Sequence, residues 1–460
     1  MNPMNIVGSW QQDRWSNGGS RGLVAGVSFD GGATWANVPI PKITLCSGGT
    51  QTNGGDFQRA SDPWLSFAPN GDLYHISLSL DISPPANRPG GNGRSALLVS
   101  KSTDGGLTWS DPIKLIEDDN PRFLDDKESI TADPADANFV YGVWDRLQAS
   151  VGSVINPENV FGFGFKGPAM LSRTTDGGRT WEAPRIIYDP GANNQTIGNQ
   201  IVVLPDGTLV DFFNEILNFK NVRGATSVFN LSLIRSTNRG ATWTRGQPIR
   251  AANILTRAAF DPQGIGVRDP DTNDPLRTGD IIPQVAVDRN MGSPGGGNLY
   301  AVWQDSRFSN LAHDSIAFAQ STDGGFTWSR PIQINQTPTN IPSGNQQAFT
   351  PAIRVAADGT IGVTYYDFRN NTFDPATLPT DYFIVRCQPT TTTSCTSPEN
   401  WKETPITSTS FDMRKAPVAR GFFVGDYEGL AVVGDQFKPF FVQSGPTTGI
   451  SNVFSTTVGP

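Results

Sequence analysis

The sequence predicts an all-β protein assembled from repeated units of four short antiparallel strands, the architecture of a β-propeller. Three observations lead to this prediction. The 460 residues include 49 Gly and 35 Pro, a turn-rich composition below the range of disordered or collagen-like chains. Aromatic residues make up 10% of the chain and can support a large core. A short motif that ends in Trp recurs along the chain, and apolar runs with the alternation of β-strands surround its copies.

The charge of the chain excludes several classes of partner and site. The formal net charge is −8, which argues against nucleic acid or an anionic membrane as the main partner. No stretch approaches about eighteen consecutive apolar residues, so no membrane insertion is predicted. Two histidines and the absence of an HExxH motif leave little room for histidine-based zinc chemistry.

Cysteine usage and composition predict a secreted or cell-surface protein. Cys387 and Cys395 flank a short polar loop whose ends can approach closely enough for a disulfide, and two unpaired thiols are the alternative. We expect the remaining Cys46 to be buried or to have lost a partner. The bias toward Thr, Ser, Asn and Gly suits an extracellular location. The opening MNPMNIVGSW lacks the features of a signal peptide, so a mature or trimmed secreted chain is predicted.

Five copies of one motif mark the repeated unit. They read SFDGGATW, STDGGLTW, TTDGGRTW, STNRGATW and STDGGFTW, and they end at Trp35, Trp109, Trp181, Trp243 and Trp328. A degenerate sixth copy, PENWKETP, contains Trp401. The Asp can accept hydrogen bonds from backbone N–H groups roughly two or three residues on, Gly permits positive φ, and Trp packs between sheets. We therefore expect these residues to serve folding within one repetitive architecture.

The motif resembles the Asp-box, or bacterial neuraminidase repeat, of the sialidase-like β-propellers. In that family it closes the turn between the third and outer strands of a blade, away from the catalytic face. The resemblance implies a sialidase-like β-propeller of four-stranded antiparallel blades, one domain over residues 1–460 with incomplete blades at both ends. The count of units favours seven blades, and six is the alternative if the terminal pieces merge.

Propeller geometry predicts where a ligand site lies. The first strand of each unit starts, and the second strand ends, on the face opposite the repeat turn. The first-strand starts supply side chains that differ between units, as expected of a specialised site: Arg59, Asp62, Lys127, Glu128, Asn199, Gln200, Gln284, Thr350, Asp426, Tyr427 and Glu428. The second-strand ends supply Asp81, Glu215 and a D-R or D-x-R pattern that we interpret as structural ion pairs, at residues 13–14, 145–146, 305–307 and 367–369.

The resemblance to exo-sialidases implies roles for some of these residues. Tyr427 matches the tyrosine nucleophile of that family, whose proton a carboxylate must take because a phenol has an ordinary pKa near 10. In the family this carboxylate belongs to a glutamate, and Asn199 or Gln200 stands at its position in this chain. The substitutes are then the acidic residues Glu215, Glu128 and Glu428, and the candidates for the acid are Asp81 and Asp62.

Substrate binding in the family depends on three arginines that hold a carboxylate group. Arg59 matches the first of them approximately. The candidates for the remaining contacts are Arg307, Arg354, Arg369 and Gln284. Arginines gathered beside Tyr427 would indicate a carboxylated sugar, whereas an axis lined by carboxylates would favour a neutral glycan or a cation.

Two long loops, 147–168 and 250–280, are candidates for specificity. In the second, Asp269, Asp271 and Asn273 have the oxygen spacing of a calcium loop, but Asp274 stands where such a loop requires Gly. The sequence is consistent with a structural calcium ion in this loop and equally with a solvated loop that binds no metal. No other cofactor is predicted.

The sequence is consistent with three functions. The preferred one is a sialidase-like glycoside hydrolase that acts on terminal acidic sugars of glycans. The second is a polysaccharide lyase with Tyr427 or His313 as the base, His75 being assigned to the core. The third is a non-catalytic propeller that binds glycans or proteins. Fold alone does not choose among them.

Overall fold

The computed structural model describes residues 2–82, 94–149, 166–217, 227–255 and 266–459. It consists of β-strands with a few short 3-10 helices. In the described part of the chain, no helix has the length and apolar character needed to cross a bilayer. The chain divides into two compact units, unit 1 (residues 1–228 and 234–248) and unit 2 (residues 229–233 and 249–460). The single domain inferred from the repeats stays a prediction.

Unit 1 contains the first thirteen strands. In chain order they are β1 (Ile6–Arg14), β2 (Ser20–Ser28), β3 (Ala36–Pro39), β4 (Arg59–Phe67), β5 (Leu73–Leu80), β6 (Ser95–Ser102), β7 (Ile113–Asp118), β8 (Phe123–Ala132), β9 (Val140–Gln148), β10 (Ala169–Thr174), β11 (Arg185–Tyr188), β12 (Gln195–Val203) and β13 (Leu209–Leu217). The division between the units passes through β14 (Val228–Ser236).

Unit 2 contains the remaining strands. They are β15 (Ile249–Asn253), β16 (Val267–Arg268), β17 (Pro275–Arg277), β18 (Gln284–Val287), β19 (Leu299–Asp305), β20 (Ser315–Ser321), β21 (Ile332–Gln333), β22 (Ala348–Val355), β23 (Ile361–Asp367), β24 (Pro379–Cys387), β25 (Lys402–Pro405), β26 (Phe411–Asp412), β27 (Phe422–Phe423), β28 (Gly429–Val433), β29 (Gln436–Ser444) and β30 (Ser451–Ser455).

Consecutive strands pair side by side and antiparallel, which is the pattern of propeller blades. Complete four-stranded blades are β4–β5–β6–β7 and β8–β9–β10–β11 in unit 1, and β18–β19–β20–β21 and β22–β23–β24–β25 in unit 2. At the two ends of the chain, β1–β2–β3 and β28–β29–β30 form groups of three, as expected for incomplete blades. The predicted fold class is confirmed, whereas the number of blades stays a prediction.

The repeat turns are closed by local hydrogen bonds. In the first, Asp30 Oδ1 accepts from the backbone N–H groups of Ala33 (3.0 Å) and Thr34 (2.9 Å), and the Thr34 hydroxyl donates to Oδ2 (2.6 Å). The Trp35 indole N–H donates to Gly32 O (3.0 Å). The Asp therefore reaches amides three and four residues on, rather than two or three. The structural role expected of these residues agrees with these bonds.

A disulfide takes the place of the repeat turn in the degenerate sixth copy. Each third strand that precedes a repeat turn ends on the Ser or Thr that begins it, and β24 ends instead on Cys387. Cys387 is bonded to Cys395, with the two Cα atoms 5.8 Å apart, so the predicted bridge is confirmed. The Trp401 indole donates to Cys395 O (2.9 Å), as Trp328 donates to Gly325 O (3.0 Å) in an intact copy. The disulfide thus closes this turn covalently, whereas the Asp closes the repeat turns through hydrogen bonds.

The expectation that Cys46 is buried is wrong. It belongs to a 3-10 turn, Leu45–Ser47, and its side chain is exposed because that turn lies at the surface. Trp144 and Trp303, which occupy the same position in their second strands, are fully buried. Trp10, at the same strand position in the first three-stranded group, is only partly buried.

Candidate functional site

A β-bulge recurs in the first strands of the blades. In β8, Lys127 and Glu128 together lie opposite the single residue Trp144 of β9. Equivalent bulges are present at residues 62–63 of β4, 198–199 of β12 and 350–351 of β22. The first residue of each bulge has a left-handed backbone, with φ of +50° at Asp62, +52° at Lys127, +72° at Gly198 and +51° at Thr350. Bulges redirect side chains and are common beside functional sites. Of the predicted first-strand positions, Asp62, Lys127, Glu128, Asn199 and Thr350 thus lie on equivalent bulges.

Side chains near the ends of second strands hold three of these bulges. In unit 1, Asp145 accepts hydrogen bonds from Gly198 N (2.8 Å) and the Thr196 hydroxyl (2.8 Å), and also from the Asn199 amide. In unit 2, Gln304 Oε1 accepts from Thr350 N (2.9 Å). Gln11 Nε2 likewise donates to the Ser61 hydroxyl (3.0 Å), next to Asp62. The second-strand ends therefore fix the backbone of the site.

An ion pair joins two of the bulges in unit 1. Lys127 Nζ donates to Asp62 Oδ2 at 2.8 Å, and both side chains are about one-tenth exposed. The Ser61 hydroxyl donates to Asp62 Oδ1 at 2.6 Å. These donors favour the ionised form of the Asp62 carboxylate.

Glu128 has the opposite environment. It is 1% exposed, and neither carboxyl oxygen has a hydrogen-bond partner among the described residues. Burial, reinforced by the charge of Asp62, raises the pKa of Glu128 well above its ordinary value. Burial therefore favours the protonated form of this carboxyl group. A protonated acid beside an ionised carboxylate is an arrangement used in acid–base catalysis.

Two further buried carboxyl groups lie in the same unit. Burial raises the pKa of Asp145 to about 8, although hydrogen bonds from Thr196 and Gly198 act to lower it. Burial also raises the pKa of Asp211 well above its ordinary value, and the charge of Asp145 adds to this effect. Asp145 acts on the backbone of β12, so its role is structural.

Three predicted residues of unit 1 are engaged in other contacts. Asp81 is paired with Arg94 (2.9 Å) and accepts from Gln58 N (2.9 Å), which argues against its role as the acid. Arg59 lies 4.2 Å from the ring centre of Trp15 and donates to Asn17 Oδ1 (2.7 Å).

Glu215, the third of these residues, is fully buried. Its Oε1 accepts from the Tyr188 hydroxyl at 2.6 Å. Of the acidic candidates in unit 1, only Asp62 and Glu128 lie on the bulges.

In unit 2, an arginine that sequence reasoning missed lies beside Tyr427. Arg277 donates to both carboxylate oxygens of Asp426, one of them at 2.8 Å. β17, which ends at Arg277, pairs with β27 just before this segment. A Cβ on Gly279 would lie 2.1 Å from Asp426 O, so glycine is required there. No local pattern indicates a contact across 149 positions.

The residues on either side of Tyr427 carry carboxyl groups of different character. Asp426 is charged by its pairing with Arg277. Glu428 is partly exposed as a residue, but its Oε1 is buried and lacks a hydrogen-bond partner among the described residues. Burial raises the pKa of Glu428 well above its ordinary value, which favours the protonated form, and that form is unsuited to accept the proton of Tyr427.

The arginines predicted to bind a substrate carboxylate have partners of their own. Arg307 is paired with Asp305 (2.8 Å) and Arg369 with Asp367 (2.7 Å), as the ion-pair interpretation of the D-x-R pattern predicts. In the 145–146 copy the interpretation is wrong, because Arg146 pairs with Asp118 (2.7 Å). Arg354 Nη1 donates to Ile353 O (2.9 Å), and burial lowers the pKa of its guanidinium.

Gln284, the polar residue predicted to contact substrate, begins β18 and is 4% exposed. Its Nε2 has no hydrogen-bond partner among the described residues. The predicted lyase base, His313, is partly exposed and lies 2.9 Å from the Ser343 hydroxyl.

The proposed calcium loop is occupied by a side-chain cation. Arg414 Nη2 donates to Asp269 Oδ1 (2.8 Å) and Asp271 Oδ2 (3.2 Å). Asn273 has a left-handed backbone and bonds through its N–H to Asp269 O (2.9 Å). A guanidinium at both carboxylates argues against a calcium ion at the same oxygens. Among the described residues, no three His, Cys, Asp or Glu side chains are grouped as a metal site.

Parts of the two predicted specificity loops, 150–165 and 256–265, lie outside the described residues.

Comparisons with known proteins find similarity of structure only. No protein-family model matches the sequence, and no curated protein matches it. The Hadza microbial sialidase Hz136 is 15% identical, with a TM-score of 0.49 over 88% of this chain and 67% of that one. A leech intramolecular trans-sialidase complexed with 2,7-anhydro-Neu5Ac is 13% identical, with a TM-score of 0.47 over 88% and 68%. A Penicillium chrysogenum α-L-arabinanase complexed with arabinobiose is 12% identical, with a TM-score of 0.46 over 78% and 85%. The function must therefore be inferred from the residues of the site.

Proposed function

We propose that the chain is a glycoside hydrolase that acts on glycans, with Asp62 and Glu128 as its pair of carboxyl groups. The observation that supports this proposal is the buried carboxyl of Glu128, without a hydrogen-bond partner among the described residues, next to the Asp62 carboxylate that is paired with Lys127. Two neighbouring carboxyl groups with opposite environments suit opposite roles in acid–base chemistry.

Hydrolysis of a glycosidic bond uses these two roles. An acid protonates the leaving oxygen, and a carboxylate either attacks the anomeric carbon or activates water. Glu128 holds the proton and is the acid in this proposal, and Asp62 is the charged partner. The Glu128 carboxyl is enclosed in the free protein, so substrate binding must displace a neighbouring side chain to reach it.

The charges of the site favour a sugar without a carboxylate. Two carboxylates, Asp62 and Asp126, lie on the bulges or next to them, and the charge of Lys127 is already paired with Asp62. An anionic sugar would be repelled by such a group, whereas sugar hydroxyls donate hydrogen bonds to carboxylates. The substrate in this proposal is therefore a neutral glycan. The Cys387–Cys395 disulfide supports action in a secreted or cell-surface setting.

The second candidate is an exo-α-sialidase with Tyr427 as the nucleophile. Its support is the partial exposure of Tyr427 and the presence of Arg277 beside it. Against it stand the raised pKa of Glu428 and the separate partners of Arg307 and Arg369.

The test measures release of the aryl group from a panel of neutral aryl glycosides and from an aryl α-sialoside. The variants are E128Q, D62N and Y427F, with the exposed-site controls E399Q and D435N. Loss of the acid should lower kcat/KM by about 10²–10⁴-fold for poor leaving groups and by less for activated ones. E128Q should also lose the fall in rate at high pH that marks deprotonation of the acid.

Each outcome decides between the candidates. Wild-type rates in E128Q and D62N on every cleaved glycoside would overturn the assignment of the carboxyl pair. Cleavage of the α-sialoside alone, abolished in Y427F, would establish the second candidate instead. Glycan binding without cleavage of any substrate would assign the chain as a binding module.

A further inference from the structure

The bulge in β8 places Lys127 where a lysine is conformationally disfavoured. Its φ of +52° lies in the left-handed region, which lysine seldom adopts and glycine adopts freely. The equivalent position in β12 is Gly198. Backbone strain of this kind persists where the surrounding structure imposes it, and it is concentrated at functional sites.

The same bulge sets the position of the Lys127 side chain relative to two carboxyl groups. Lys127 and its neighbour Glu128 share one position opposite Trp144, instead of taking successive places on the two faces of the strand. The ammonium group reaches across to β4 and contacts Asp62 at 2.8 Å.

Several other charged or polar groups face this ion pair. On β8, Asp126 and Glu128 flank Lys127 in the sequence, and Asp126 lies opposite Asp145 of β9. On β1, the Gln11 amide faces Asp62 Oδ1 at 3.5 Å, and Arg14 Nε donates to Gln11 Oε1 at 2.8 Å. Carboxyl groups therefore lie next to Lys127 in space and in the sequence, and its positive charge favours their ionised forms.

We propose that Lys127 is a positioning residue for Asp62: the bulge in β8 carries its ammonium across to β4, where it keeps the Asp62 carboxylate of the candidate pair ionised. This inference rests on the proposed function for its catalytic meaning. The effect of Lys127 on the ionisation of Asp62 does not depend on that function and can be measured in the protein without substrate.

The experiment is a carboxyl ¹³C NMR titration of the full chain labelled at Asp and Glu, with D62N and E128Q used to assign the two signals. The variants are K127M, K127G and K127R, and the control is K402M at an exposed lysine. K127G removes the ammonium and relieves the left-handed strain, whereas K127M removes the ammonium and keeps the strain. Comparing them separates charge from conformation.

We expect the titration midpoint of Asp62 to rise by about 1–3 pH units in both K127M and K127G. In K127R, which keeps the positive charge, the Asp62 midpoint should stay at the wild-type value, and K402M should also leave it unchanged. An Asp62 midpoint in K127M equal to that of the wild type would overturn the proposal. A shift in K127G that K127M lacks would also contradict it, because the effect would then come from the backbone and not from the charge.

The kinetic readout distinguishes failure of this inference from failure of the proposed function. On a cleaved glycoside, K127M should shift the acidic limb of the kcat/KM profile to higher pH, by the same amount as the Asp62 midpoint. K127R should keep the limb at the wild-type pH. If no glycoside is cleaved, the proposed function fails while the NMR titration still decides the role of Lys127.

Discussion

Carboxyl groups in this chain occupy two contrasting environments. Those of the repeat turns are near the surface and accept several local hydrogen bonds, as Asp176 does from Thr180. Those of the site and its surroundings are enclosed, as Glu128 and Asp145 are, and burial favours their neutral form. The chemistry of a residue type is therefore set by its surroundings, and only the second group is suited to hold a proton at neutral pH.

His75 provides a test of burial at the scale of one residue. It lies in β5, is 0% exposed, and packs edge-on against Trp109, so its assignment to the core is confirmed. Burial lowers the pKa of His75 from 6.5 to about 3. The unfolded chain therefore binds a proton below pH 6.5 that the folded chain refuses until about pH 3. The contribution of His75 to the free energy of unfolding is therefore complete above pH 6.5, and it is lost as the pH falls from 6.5 to about 3.

We expect H75L to reduce the loss of unfolding free energy between pH 7.5 and pH 4.5. Below pH 6.5, the residue accounts for about 1.4 kcal/mol of unfolding free energy per pH unit. Urea unfolding of wild type and variant at both pH values measures the difference. H313Q, at the other histidine, is the control. A pH dependence in H75L equal to that of the wild type would contradict the prediction.

At the scale of the element, a turn between the third and fourth strands of a blade is closed in two ways. The repeat turns use a carboxylate, a hydroxyl and a Trp indole within eight consecutive residues, so their formation is local. The turn after β24 uses the Cys387–Cys395 bridge, and Trp401 again donates to a backbone oxygen of the turn. Both arrangements place a Trp against the neighbouring strands.

The double variant C387S/C395S should lose about 2–3 kcal/mol of unfolding free energy, because the bridge closes a short loop in the unfolded chain. Denaturant unfolding of the oxidised wild type and the variant measures this loss. C46S is the matched control, since Cys46 is exposed and unbridged. Equal stability of the double variant and the wild type would show that the hydrogen bonds of Trp401 suffice to hold the turn.

At the scale of the whole molecule, the carboxylates of the repeat turns occur in both units and act together on stability. Hydrogen bonds from Thr180 lower the pKa of Asp176 to about 2. In the turns of Asp104 and Asp323, burial raises the pKa, but hydrogen bonds from the following Thr outweigh it and the values are also about 2. Because the unfolded value is near 3.8, this stability is present above pH 3.8 and is lost as the pH falls toward 2.

We expect D104N/D176N/D323N to be less stable than the wild type at pH 6 and to lose less stability than the wild type between pH 4 and pH 3. The fourth repeat turn already carries Asn238, so the substitution is compatible with the turn. Guanidinium unfolding at these pH values tests this, and D435N, at an exposed turn, is the control. A wild-type pH dependence in the triple variant would show that these carboxylates contribute nothing to acid sensitivity.

Much of the fold could be predicted from the sequence because its signals are local. Alternating apolar residues indicate the strands, and each repeat turn is bonded within its own motif. First-strand positions such as Asp62 and Glu128 could be selected for the same reason, although they lie inside β4 and β8 and not at their starts. The partners of these residues could not be predicted, because Arg94 for Asp81 and Arg414 for Asp269 come from other segments of the chain.

The class of fold, the repeat turns and the positions from which a site can be built thus follow from the sequence. Which carboxyl groups form ion pairs and which are buried without a partner depends on the tertiary structure. Asp81 became an ion-pair partner of Arg94, whereas Glu128 was left enclosed, without a hydrogen-bond partner among the described residues. The physical reason is that strand periodicity acts between near neighbours, while burial and ion pairing depend on segments that only folding brings together.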